Sequence, residues 1–176
     1  ASYFYHRWAD RETMFEHPNV AGALEVGKEQ DQYFLVMEDV EGRSLLDLME
    51  DGRPDVDEAA EIIYQIAEGL RAAHRQDMVH GDLKPSDVFL CEDKSGKRLV
   101  KVAFVDLGVE SSESMISIYG EAVGTPKYMA PEVIRGGNVL PQSDIFALGV
   151  ISWELLAGKE PFPSNHAIGY LYNNCH

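Results

Sequence analysis

The chain has 176 residues, 45% of them hydrophobic, enough to bury one good core and so to form one domain or a large part of one. Fifteen Lys and Arg against thirty Asp and Glu leave a formal charge of −15, which opposes binding to nucleic acid or to an anionic membrane surface. The same charge suits a basic peptide, and it serves solubility equally well.

In chain order, residues 1–15 predict a helix leading to His17-Pro18-Asn19. Residues 20–26 and 33–37 read as two strands, and the polar turn 27–32 joins them as a hairpin. Glu41-Gly42-Arg43-Ser44 then turns the chain into a short helix over 45–50. Residues 55–73 form the clearest amphipathic helix, with Ala59, Ile62, Ile63, Ile66, Leu70 and Ala73 at helical spacing. Asp55 with Glu58 resembles a capping box at its start. This helix reads as scaffold, and His74 near its end as a surface residue. Strands are predicted over 88–91 and 100–105, around the polar turn 92–98 with Ser95-Gly96 at its tip. Residues 143–157 are apolar on nearly every face, which places that helix in the middle of a lobe. Its run near 147–156 is interrupted by Glu154 and is too short to span a bilayer, and no charged-then-apolar leader opens the chain. Residues 165–176 begin a further helix. Cys91 and Cys175 share no motif spacing, which points to a reducing, cytoplasmic setting.

The stretch from His80 to Leu90 packs Asp82, Lys84 and Asp87 into six residues, with Gly81 and Pro85 fixing the backbone between them. Its flanks, Met78-Val79 and Val88-Phe89-Leu90, are apolar, so the loop is anchored at both ends while exposing charge. Asp106 follows the apolar run 100–105 and precedes Leu107-Gly108, which puts a further carboxylate where a buried strand turns. One carboxylate of such a set can accept a proton from a hydroxyl nucleophile. The lysine can balance negative charge on a phosphoryl group, and two more carboxylates can hold Mg²⁺. The blander reading of the stretch, a solvated turn with acids by chance, carries less weight than a working surface.

His80-Gly81-Asp82-Leu83-Lys84-Pro85-Ser86-Asp87 resembles the catalytic loop of eukaryotic-type serine/threonine protein kinases. Asp106-Leu107-Gly108 is similar to their metal-binding triplet, and Ala130-Pro131-Glu132 closes an activation segment at the expected distance. The runs 124–132 and 143–150 also read as that family, and the resemblance covers nearly the whole chain from about Glu16 onward. It implies an α+β, protein-kinase-like fold, incomplete at both ends. A partial small lobe of a helix and two strands (1–37) would lead through a hinge (38–42) to a mainly helical large lobe (43–176).

The resemblance implies ATP and Mg²⁺ as cofactors, and a protein substrate with a Ser or Thr acceptor as partner, with no nucleic acid and no membrane contact by this segment. Asp82 would deprotonate the acceptor hydroxyl, and Lys84 would neutralise charge on the γ-phosphoryl group. Asp87 and Asp106 would hold the metal. The Thr125 hydroxyl would reach Asp82 and Lys84. Met37 would sit at the back of the nucleotide pocket, though its side chain reads equally as an ordinary core residue. The backbone of Glu38-Asp39-Val40 would pair with the adenine edge, and Phe89 would pack beneath the ring. His80 would be structural, packed under the triplet beside Leu107. Asp144 would cap its helix and accept hydrogen bonds from the catalytic-loop backbone.

Several positions depart from the family pattern. No Gly-x-Gly-x-x-Gly loop and no strand lysine for the phosphates occur, so both are expected upstream of Ala1, and the last helices downstream of His176. Trp8 stands where the regulatory helix should carry glutamate, with Glu12 about one turn further on. Gly81 replaces arginine, the usual partner of an activation-loop phosphate, so phosphorylation among Ser111, Ser112, Ser114 and Ser117 is not expected to be the main switch. Asp87 replaces asparagine, and repulsion from Asp106 is expected to raise one carboxyl pKa. Besides an active kinase, a non-catalytic relative that binds nucleotide or partners, and an acidic interaction module without nucleotide, remain open readings.

Overall fold

A computed structural model describes residues 16–30, 32–104 and 125–176. The helix expected over 1–15, with Trp8 and Glu12, lies outside the described residues. So do 105–124, with Asp106, Leu107 and the four serines.

Strands β1 (Ala23–Glu29) and β2 (Gln32–Met37) pair antiparallel, from Glu29 opposite Gln32 to Ala23 opposite Met37. The turn is tighter than 27–32, because Lys28 and Glu29 continue the ladder and Gln30 turns with φ +47°. The first strand also begins three residues later than 20, since the preceding residues pair elsewhere. The Val102 N–H donates to Asn19 O at 3.0 Å, and the Ala21 N–H donates to Val102 O at 2.9 Å. Val20 thereby forms a parallel bridge with Val102.

A second antiparallel sheet has the order β3 (Arg43–Ser44), β4 (Val88–Glu92), β5 (Arg98–Val102). Side chains alternate across it, with Val88, Leu90, Val100 and Val102 buried and Phe89, Cys91, Leu99 and Lys101 half-buried on the other face. Strand β5 stops short of the expected 105. There the Ala103 N–H turns to donate to Asp87 O at 2.8 Å, fastening the strand end to the 80–87 loop.

Ser44 caps α1 (Leu45–Asp51): its hydroxyl accepts from the Asp47 N–H and its own N–H donates to the Asp47 carboxylate. In α2 (Val56–His74), Asp55 accepts from the Glu58 N–H at 2.8 Å, but the return half of the expected box is missing. The Glu58 carboxylate pairs instead with Arg98 on β5. Ala59, Ile62, Ile66, Leu70 and Ala73 are fully buried, as the 3–4 spacing requires. At Gly69 a Cβ would lie 2.4 Å from Asn19 O, so only glycine lets residue 19 approach the helix.

A short α3 (Pro131–Ile134) precedes α4 (Pro141–Ala157), and α5 (Ala167–Asn173) realises the helix expected after 165. Helix α4 is not buried all round: Ile145 is 54% and Trp153 49% exposed, while Ala147, Val150, Ile151 and Leu155 face the core. That core lies between α2, α4 and the three-stranded sheet, with Ile62, Leu70, Val88, Val102 and Ile151 solvent-free. Each such side chain contributes about 1.5–3 kcal/mol.

Candidate active site

The 80–87 loop is hung from one carboxylate. Asp144, 1% exposed, accepts the His80 N–H on Oδ2 and the Gly81 N–H on Oδ1, both at 2.8 Å. His74 Nε2 lies 2.7 Å from the same Oδ2, so His74 is a half-buried support and not the surface residue expected. Asp144 does not cap α4: the cap position is Leu140, whose N–H donates to the Ser143 hydroxyl at 3.2 Å. Asp144, one residue on, is left to hold the loop. Gly81 has φ +85°, which explains a glycine there.

His80 is held at both ring nitrogens. Nε2 lies 3.0 Å from Ala103 O and Nδ1 3.4 Å from the Asp82 nitrogen, which fits the tautomer protonated on Nε2. Its ring packs on Phe104 at 5.0 Å. Leu83 is buried, and Pro85 opens a 3-10 turn, Pro85–Asp87, that aims the next acid.

Asp82 stands between two donors. Lys84 Nζ donates to Oδ2 at 2.7 Å and the Thr125 N–H to Oδ1 at 2.9 Å. Thr125 therefore meets Asp82 through its backbone, and not through the hydroxyl as expected. Lys84 Nζ also lies 3.8 Å from Asp87 Oδ2. Burial disfavours the Lys84 ammonium, but the Asp82 hydrogen bond and the charges of Asp87 and Asp82 outweigh it and leave its pKa raised. Burial pushes the Asp87 carboxyl up, with Asp82 adding to the effect and His80 and Lys84 opposing it. Desolvation is the first cause among the described residues, and the repulsion expected from Asp106 lies outside them. Among the described residues no three His, Cys, Asp or Glu side chains converge as a metal site.

The nucleotide-side candidates lie on β2, in the connection after it and on β4. Met37 is half-buried opposite Ala23, Val40 is half-buried in the following connection, and Phe89 is half-buried opposite Lys101. The Glu38 N–H is committed to Gly22 O at 2.8 Å. Its carboxylate takes Lys101 Nζ at 2.7 Å and the Gly22 N–H at 2.8 Å.

Sequence reasoning missed a second charged cluster, below Thr125. Lys127 pairs with Glu154 of α4 and with Glu160 at 3.0 Å, and the Tyr128 hydroxyl donates to Glu154 at 3.0 Å. Burial opposes the Lys127 charge, yet its hydrogen bonds to Glu154 and Glu160 hold the pKa well up. Asn174 donates to the carbonyls of Pro126 at 3.0 Å and Met129 at 2.9 Å, pinning the same turn. The available signal was Glu154 itself, an acid inside an apolar helix.

A loop that sets an acid against a lysine, hung from a buried aspartate on a neighbouring helix, defines the protein kinase class. The protein kinase domain model matches residues 11–176, and the chain belongs to that family, with its α+β protein-kinase-like fold. It is 37% identical over 149 residues to the serine/threonine-protein kinase pkn2 of Myxococcus xanthus, covering 84% of this chain and 18% of that protein. It is 37% identical over 153 residues to the probable serine/threonine-protein kinase PknB of Lactococcus lactis, covering 86% of this chain and 24% of that protein. With the serine/threonine-protein kinase PrkC of Bacillus subtilis it shares 33% identity over 165 residues, 93% of this chain and 25% of that protein. The chain thus spans a quarter or less of these relatives. No helix among the described residues is long and apolar enough to cross a membrane.

Proposed function

We propose that this chain carries the catalytic region of a serine/threonine protein kinase, which transfers the γ-phosphate of ATP to Ser or Thr hydroxyls of protein substrates. The observation that carries the reading is Asp82 fixed between Lys84 Nζ and the Thr125 N–H while its side chain stays 38% exposed. An acid held that way is oriented for an incoming hydroxyl and reachable by it. Asp82 orients the acceptor and takes its proton, and Lys84, 30% exposed, turns from Asp82 and Asp87 to the phosphoryl oxygens.

Asp87 fits a divalent cation: it offers a hard carboxylate oxygen, and burial makes its charge costly until a cation balances it. With Asp106 it would hold Mg²⁺, which supplies charge neutralisation to the ATP phosphates. Residues 1–37 then belong to the small lobe, 38–42 to the hinge and 43–176 to the large lobe. With the Glu38 N–H committed, adenine reads the Glu38 C=O and the Val40 N–H, with Met37 behind it and Phe89 beneath. ATP as donor implies a cytoplasmic site for this segment.

The test is incubation of the full-length protein with radiolabelled Mg-ATP and a Ser/Thr-containing protein. Label recovered as phosphoserine or phosphothreonine supports the reading. The runner-up, a non-catalytic relative, is favoured by Asp87 in place of asparagine, and nucleotide binding without transfer would establish it.

A further inference from the structure

Glu38, the first residue after β2, is held from two directions. It exchanges two hydrogen bonds with Gly22, donating its N–H to Gly22 O and accepting the Gly22 N–H on Oε2, each at 2.8 Å. A Cβ at residue 22 would come within 3.3 Å of that oxygen, so the missing side chain keeps the contact close. From the other direction Lys101 Nζ lies 2.7 Å from Oε1.

Lys101 sits on β5 between Val100 and Val102. Those two residues hold the segment before the hairpin: Asn19 Nδ2 donates to Val100 O at 2.9 Å, and Val102 exchanges backbone bonds with Asn19 and Ala21. Gln65 of α2 closes the set by accepting from both Asn19 Nδ2 and the Val100 N–H. Asn19 and Ala21 are thus fixed to β5 by backbone, and the connection after β2 is fixed to β5 by Lys101. Across the β4–β5 ladder Lys101 stands opposite Phe89. The pair is partly shielded, with side chains 15% and 30% exposed. Burial raises the Glu38 carboxyl, but the Lys101 and Gly22 hydrogen bonds outweigh it and leave it below its usual range.

We propose that Lys101 is a positioning residue for nucleotide: by fixing Glu38 it presents the backbone of 38–40 to the adenine edge over Phe89, and so sets nucleotide affinity and not the rate of transfer. This rests on the nucleotide reading above. Backbone hydrogen bonds to a flat ligand edge are directional, so a connection free to pivot has to be ordered at binding and affinity falls. Among the described contacts the Lys101 ammonium reaches Glu38 and not the 80–87 loop, so the chemical step is left alone.

The experiment compares full-length wild type with Lys101→Ala, Lys101→Met and Lys101→Arg. It reads the Mg-ATP dissociation constant by calorimetry, KM for ATP and kcat with a protein acceptor, and the melting temperature of each. Lys101→Met keeps the apolar stem and so the sheet packing. The Ala and Met variants should bind Mg-ATP about fivefold more weakly and raise KM alike, with kcat within about twofold. Lys101→Arg should restore both. Unchanged affinity in the Met variant, a fall in kcat at constant KM, or an Arg variant as weak as Ala would each overturn the role while leaving the kinase reading intact. A wild type that does not bind Mg-ATP would overturn the nucleotide reading and this inference with it.

Discussion

His74 Nε2 lies 2.7 Å from Asp144 Oδ2, joining the last turn of α2 to the first turn of α4 beneath the 80–87 loop. Asp144 spends its remaining capacity on the His80 and Gly81 N–H groups, so one buried carboxylate sets where the loop begins. Asp144→Ala strands two N–H donors and an imidazole, and should cost about 3–5 kcal/mol in urea unfolding. Asp144→Asn keeps one acceptor oxygen and should cost about 1–3 kcal/mol. A loss near zero in the Ala variant would mean that the loop is held by something else.

Gly81 turns the chain with φ +85°, and a Cβ there would lie 3.2 Å from Val139 Cγ1. Gly81→Ala should therefore cost about 1–2 kcal/mol. It should also slow phosphotransfer, because the strained residue immediately precedes Asp82. Unchanged stability together with unchanged transfer would contradict this backbone.

Much of the scaffold was legible because its signals are local. Ala59, Ile62, Ile66, Leu70 and Ala73 announce α2 by spacing alone, and they are the residues it buries. What failed depended on partners far along the chain. Glu58 looked like half of a capping box, but Arg98, 40 residues on, takes its carboxylate. Val20 looked like strand and instead docks on Val102. His74 looked exposed because its partner lies 70 residues away. Within the site, residue types and order pointed to Asp82 and Lys84. No local pattern could say that Thr125 would present its N–H, or that Glu38 would be tied to Lys101.

Asp87 carries a pH signature. Burial raises its folded-state pKa, so the folded protein holds this proton more tightly than the unfolded chain does. Its contribution to stability is full below the unfolded carboxyl range and is lost as pH rises through the folded value. In the absence of Mg²⁺, Asp87→Asn should melt higher than wild type at neutral pH, and the difference should vanish in acid. Thermal melts of the full-length protein across pH check this. A gap of the same size at every pH would rule out the carboxyl as its source. The Asn variant should retain transfer with Mg-ATP, since the amide oxygen can still serve the metal.

The central claim is that Asp82 acts on the acceptor hydroxyl. Its most direct test is the rate of phosphate transfer from Mg-ATP to a protein acceptor by full-length wild type and Asp82→Asn, with nucleotide binding measured in both. The account predicts equal Mg-ATP affinity and a rate at least about a hundredfold lower in the variant. An Asp82→Asn protein that transfers phosphate at the wild-type rate would contradict it.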